Sequence, residues 1–116
     1  PKYNVDMFLG IGGGPEGVLA ACALDTFGCH FQGRFIFDNE NDIKVANSMG
    51  IKDLTKKYEL KEIIKGDSLF CATGITNSDI LRGISIYNNT YTSETLITHK
   101  SSNYKKIVKL VKSLDE

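Results

Sequence analysis

The apolar positions of this chain fall into short runs separated by glycine and asparagine. Val5-Asp6-Met7-Phe8-Leu9-Gly10-Ile11 is brief and mostly apolar, the pattern of a buried strand. It leads into Gly12-Gly13-Gly14, after which Pro15 opens a helix at the position where proline loses no needed donor. From Val18 to Leu24 that helix is apolar on every face, which predicts cover on both sides, and Gly28 is its stop. Arg34-Phe35-Ile36-Phe37-Asp38 reads as a second strand. Asn39 or Asn41 then caps a helix in which Ile43, Ala46 and Met49 share a face, ended by Gly50. A short helix over residues 60–64 ends at Gly66.

Asp67-Ser68-Leu69-Phe70-Cys71-Ala72 is the clearest later strand. It runs into Thr73-Gly74-Ile75-Thr76, and Asn77 or Ser78 caps a short helix over residues 79–82 before Gly83. Strand, glycine turn and capped helix thus occur twice. That alternation predicts an α/β fold with a mixed, mainly parallel sheet flanked by helices. Residues 84–87 and 91–98 flank Asn88-Asn89, a hairpin turn at a sheet edge. In the tail, Tyr104, Ile107, Val108, Val111 and Leu114 fit one helix face, with Lys105, Lys106, Lys109 and Lys112 outward. A long edge strand is the competing reading of the tail, and helix is preferred.

Composition narrows the classes. With 116 residues the chain reads as one domain, 1–116, large enough for a core but small for a complete two-substrate enzyme. Fourteen basic and fourteen acidic residues cancel, so no overall field points to nucleic acid or to a membrane surface. No apolar run approaches the roughly 20 residues that span a bilayer. Pro1-Lys2-Tyr3-Asn4 does not read as a signal peptide. Cys22, Cys29 and Cys71 are odd in number and lack close pairing, which suggests a reduced, cytoplasmic protein. An opening at Pro1, just ahead of an apolar run, reads either as a cut from something longer or as terminal processing.

The candidate chemistry gathers at residues 9–17, which hold five of the eleven glycines. Backbone N–H groups at a glycine turn and helix start suit a phosphate. Gly12, Gly14 and Gly17 satisfy G-x-G-x-x-G, and Asp38 falls where a dinucleotide fold places its ribose-binding acid. Glu16 opposes that reading. Two unit charges about 4 Å apart repel by roughly 4 kcal/mol at an effective dielectric near 20. Pro15 also removes a donor. A divalent metal between Glu16 and a phosphate oxygen would reverse the sign of the interaction. The plain alternative is that Glu16 only complements the helix dipole, worth about 0.3–1 kcal/mol. His30 and His99 read as ordinary polar positions, and Asp38-Asn39-Glu40-Asn41-Asp42 as a solvated helix start. Thr73-Gly74-Ile75-Thr76 is either a set of ligand donors or a plain turn. The lysines of the tail read as a solvated face.

The motifs in order resemble class II fructose-1,6-bisphosphatases of the GlpX type. The hallmark G-I-G-G-A-P-E-G-V is similar to Gly10-Ile11-Gly12-Gly13-Gly14-Pro15-Glu16-Gly17-Val18. Gln32-Gly33-Arg34 resembles the family's QGR, and Met49-Gly50-Ile51 its MGI. Ala72-Thr73-Gly74-Ile75-Thr76, with Asp79-Ile80-Leu81 and Gly83, resembles ATG[IV]T…D-L-L…G. Thr92-Ser93-Glu94-Thr95-Leu96, then Lys100-Ser101, resembles its T-T-E-T-L stretch. Gly14 stands where the family has alanine.

This resemblance implies the C-terminal domain of the lithium-sensitive sugar/inositol phosphatase fold. It implies hydrolysis of the 1-phosphate of fructose 1,6-bisphosphate, or of sedoheptulose 1,7-bisphosphate in some members, with Mg²⁺ or Mn²⁺. By the same likeness Glu16 is a metal ligand, Gly13 touches the sugar phosphate, and Gly12 and Gly14 belong to the phosphate loop. The family's remaining metal carboxylates, its nucleophile-activating threonine and its D-G-D loop precede this motif, so no catalytic residue is expected in this chain. The expected partners are a sugar bisphosphate, a missing N-terminal domain and further copies in a homo-oligomer, with no nucleic acid and no membrane.

Two other classes compete: a dinucleotide-binding module built on Gly12, Gly14, Gly17 and Asp38, and a non-catalytic interaction domain. Titration with NADH followed by fluorescence separates the first. No binding is expected if Glu16 repels the pyrophosphate, whereas metal-independent saturation would restore the dinucleotide reading.

Overall fold

Proline and glycine punctuate the first half of the chain much as their chemistry predicts. The structure is a computed structural model that describes residues 5–115. Helix α1 (Gly14–Phe27) starts with Pro15 in its first turn and ends at Gly28, whose φ of 71° is the left-handed conformation that glycine adopts freely. A two-residue strand β1 (Gln32–Gly33) follows, then α2 (Glu40–Ser48), capped by the Asn39 side chain accepting from Asp42 N–H at 3.0 Å. Strand β2 (Tyr58–Glu59) pairs antiparallel with β1. It runs directly into α3 (Leu60–Ile63), where Glu59 and Glu62 form a reciprocal capping box.

The second half is a four-stranded sheet of β3 (Leu69–Thr73), β4 (Ser85–Tyr87), β5 (Thr90–His99) and β6 (Tyr104–Ser113). Every residue of β5 pairs with β6, from Thr90↔Ser113 to His99↔Tyr104. On the other edge of β5, β3 takes the second half and β4 the first. The β4–β5 turn is Asn88-Asn89, with φ of 45° and 60°, two left-handed residues as a tight hairpin requires. Asp67 holds the β5–β6 turn. Its carboxylate accepts from Ser101 Oγ at 2.6 Å and Ser101 N–H at 3.1 Å, and lies 2.7 Å from His99 Nε2.

Several expectations are overturned. Among the described residues all strand pairings are antiparallel, not mainly parallel, because the strands of the main sheet are joined by short turns or a loop and not by the helical crossovers that parallel strands need. The tail from Tyr104 is strand and not helix, since β5 offers it ten residues of ladder that no local periodicity reveals. Residues 5–11 form no strand. They have no ladder partner among the described residues, and Phe8, Leu9 and Ile11 are each more than four-fifths exposed. Residues 34–38 are irregular too, with Phe35 set against Phe37 and edge-on to Tyr58. Residues 79–82 make a turn and no helix, in which Ser78 Oγ accepts from Ile80 and Leu81 N–H. The Pro1–Asn4 reading lies outside the described residues.

Helix α1 is fixed to the sheet mainly by polar groups. The buried hydroxyls of Thr26 and Thr98 lie 2.8 Å apart. Asp25, also buried, accepts from Ser68 Oγ and from Lys100 Nζ, each at 2.6 Å. Apolar burial is small by comparison, with Ala21, Ala46 and Leu81 the only buried hydrophobic residues among those described. The chain therefore presents an unusually large surface. Its 9390 Å² compares with about 6,300 Å² for a compact protein of this mass. Its radius of gyration is 18.3 Å, against about 13 Å for a compact chain of this length. Val18, Leu19 and Phe27 on α1 stay about half exposed, so the second side of the helix is left uncovered by the described residues.

Asp25→Ala should destabilise the chain by about 1–3 kcal/mol in urea unfolding, because Ser68 loses its acceptor in a buried place. The Asp25 carboxyl is held below its ordinary value by the Lys100 hydrogen bond first and then by Ser68, and Asp67 is held low chiefly by Ser101. Carboxylates lowered in the fold stabilise it above their unfolded pKa, and that contribution vanishes as pH falls through the folded value. Folded signal in circular dichroism should therefore fall below about pH 4, and replacing both residues with asparagine should flatten that acid dependence.

Candidate functional site

The glycine loop leaves Gly13 in extended backbone (φ −66°, ψ 156°) as the residue before α1. The Gly13 carbonyl then accepts the first helical bond, from Gly17 N–H at 3.0 Å. Among the described residues no side chain caps this helix end, so its first donors face outward from an exposed loop. Glu16 lies in the first turn and folds back over Gly13. A Cβ added to Gly13 would collide with the Glu16 carboxylate, whereas at Gly12, Gly14 or Gly17 it would meet nothing. The structure thus brings together two of the residues singled out from sequence, a bare backbone position and a carboxylate. Gly12 and Gly14 flank them in open space.

Other candidates part from this site. Asp38 sits in irregular, exposed chain, and neither segment flanking α1 is the strand that a dinucleotide fold requires. Asn39 and Asp42 satisfy each other at the start of α2, as a helix cap does. Within Thr73-Gly74-Ile75-Thr76 the Gly74 donor is used internally, bonded to the Glu94 carbonyl at 3.0 Å. Lys105 and Lys106 lie over the rings of Phe27 and Tyr104. His99 joins the Asp67 turn network, and His30 stands apart from it.

A divalent ion of the Mg²⁺ type takes about six oxygen ligands. Among the described residues no three of histidine, cysteine, aspartate and glutamate gather to hold one. Glu16 offers a single exposed carboxylate beside outward donors. Among the described residues no helix is long and apolar enough to cross a membrane.

Sequence reading missed two groupings. The Asp25–Ser68–Lys100 and Asp67–His99–Ser101 sets join residues more than thirty positions apart, which local pattern cannot pair. The one signal was Lys100-Ser101, noted as part of a motif without a role.

Residues 1–113 match the family described as bacterial fructose-1,6-bisphosphatase, glpX-encoded. The chain is 39% identical to a fructose-1,6-bisphosphatase class 2 of Haemophilus influenzae over 92% of its length. It is 34% identical to a D-fructose 1,6-bisphosphatase class 2/sedoheptulose 1,7-bisphosphatase of Synechococcus sp. (strain JA-3-3Ab) over 97% of its length. A relative of that same description from Trichodesmium erythraeum is 32% identical over 97% of the chain. Each match covers 36% of the relative, so the chain spans little more than a third of the curated relatives it matches. With a hallmark loop that closes Glu16 over Gly13 and a family match along nearly its whole length, the chain belongs to the glpX-encoded bacterial fructose-1,6-bisphosphatase family.

Proposed function

We propose that this chain is the C-terminal domain of a cytoplasmic, metal-dependent sugar bisphosphatase that removes the 1-phosphate of fructose 1,6-bisphosphate. In this reading residues 1–116 form one wall of the site, and the remaining carboxylates come from sequence of the kind its relatives carry beyond the matched third. The domain is read as part of the lithium-sensitive phosphatase fold; its main sheet, residues 69–113, is antiparallel. The single observation that carries the proposal is the closure of Glu16 over Gly13 at an uncapped helix start.

The chemistry follows from that geometry. When bound, Mg²⁺ or Mn²⁺ supplies charge neutralisation between carboxylate and phosphate. Glu16 would hold the ion through its carboxylate. Gly13, lacking a side chain, lets a phosphate oxygen approach the backbone, and the outward donors at residues 12–14 receive it. The exposed Phe8, Leu9 and Ile11 beside the loop, with Val18 and Leu19 on the helix, form an apolar surface for the rest of the protein or a second copy to cover. Covering it would exclude water from the phosphate and strengthen each charge contact.

Two outcomes test this. The 116-residue chain alone should release no phosphate from fructose 1,6-bisphosphate with Mn²⁺, and turnover by it would overturn the shared-site reading. In the complete polypeptide, Gly13→Ala leaves an allowed backbone but drives the Glu16 carboxylate aside. The Mn²⁺ concentration for half-maximal rate should rise by about tenfold, with an unchanged circular dichroism spectrum; an unchanged metal requirement would separate Glu16 from the ion.

A further inference from the structure

A polar pocket of about 300 Å³ opens at the start of β5, at the small end of the range for ligand sites. Asn77, Arg82, Ser85, Thr92, Glu94 and Lys109 line it, and none belongs to the glycine loop. Thr92 and Glu94 point to one face of β5, Ser85 lies opposite Thr92, and Lys109 lies opposite Glu94. Thr98, further along the same face, is the residue that meets α1. The helix therefore covers one end of this face, and the pocket occupies the other.

Its rim is built firmly. Residues 75–84 close on themselves through Ile84 N–H donating to the Ile75 carbonyl at 3.1 Å and Gly83 N–H donating to Asn77 Oδ1 at 2.9 Å. Arg82 N–H donates to Glu94 Oε2 at 2.9 Å and ties the loop to the strand. A side chain on Gly83 would meet the Thr76 backbone at 2.6 Å, and one on Gly74 would strike the Arg82 backbone. The loop packs its backbone closely against itself and is bonded to β5, which favours a pre-organised lining.

Charge and hydroxyl chemistry select the occupant. Arg82 and Lys109 supply two positive charges against one from Glu94, in a chain that is neutral overall. A phosphate monoester, close to dianionic at neutral pH, matches two cations, and a guanidinium forks onto its oxygens. Glu94 would repel a bare anion but accepts from hydroxyl groups, and Ser85 and Thr92 can donate or accept beside it. We propose that this pocket binds a phosphate monoester of a small polyhydroxylated molecule.

Calorimetric titration of the full chain with sorbitol 6-phosphate and with inorganic phosphate tests the site and its selectivity. Sorbitol 6-phosphate should bind saturably, about tenfold more weakly to Arg82→Gln and to Lys109→Gln, and unchanged to Glu16→Gln. Lys109 is on the outer strand, so its substitution keeps the ladder, and circular dichroism checks both variants. Inorganic phosphate should bind more weakly than the polyol ester. Equal affinity for the two ligands would overturn the proposal, as would absent binding, or binding lost in Glu16→Gln and kept in Arg82→Gln.

Discussion

The join between helix α1 and the sheet fixes where the glycine loop stands. That join is made by Thr26 against Thr98 and by Asp25 against Ser68 and Lys100. Directional bonds among buried groups define a position more sharply than a few small apolar contacts, because leaving any one unpaired costs free energy. In a chain whose buried apolar residues are two alanines and a leucine among those described, this matters more than in an ordinary core. The clasp lies at the C-terminal end of α1, and the loop with Gly13 and Glu16 begins its other end. A rigid helix carries the constraint between them.

Exposure and chemistry meet at the same place. The most exposed of the large apolar side chains, Phe8, Leu9 and Ile11, immediately precede the loop that holds Glu16. A surface that is costly to leave in water adjoins an exposed carboxylate, whose charge interactions strengthen when water is displaced. One covering element would satisfy both. The described residues, though folded into helices and sheets, gather no metal cluster of their own.

Much of the first half was legible because single residues dictate its boundaries. Pro15 and Gly28 bracket α1, Asn39 caps α2, and Gly50 and Gly66 take the left-handed turns that follow helices. The Asn88-Asn89 hairpin was legible for the same reason. Strand identity in the tail was hidden. Lys105, Lys106, Lys109 and Lys112 alternate with apolar residues at a spacing that suits a helix, and only the ladder with β5 decides otherwise. Residues 5–11 failed in the opposite sense: their pattern is that of a strand, yet a strand requires a neighbour, and the described residues provide none. At the site, Glu16 was legible as the acid that conflicts with phosphate. Its contact with Gly13 was not, since it depends on how the first helical turn folds back.

Direct Mn²⁺ binding to the complete polypeptide, followed by the electron paramagnetic resonance of the free ion, bears most closely on Glu16 as a metal ligand. Glu16→Gln keeps the size of the side chain and removes one charged oxygen, and it breaks no side-chain hydrogen bond seen among the described residues. Mn²⁺ affinity should fall by at least about tenfold while the circular dichroism spectrum stays the same. An affinity unchanged by that substitution would contradict the ligand role and leave Glu16 as a charge at a helix start.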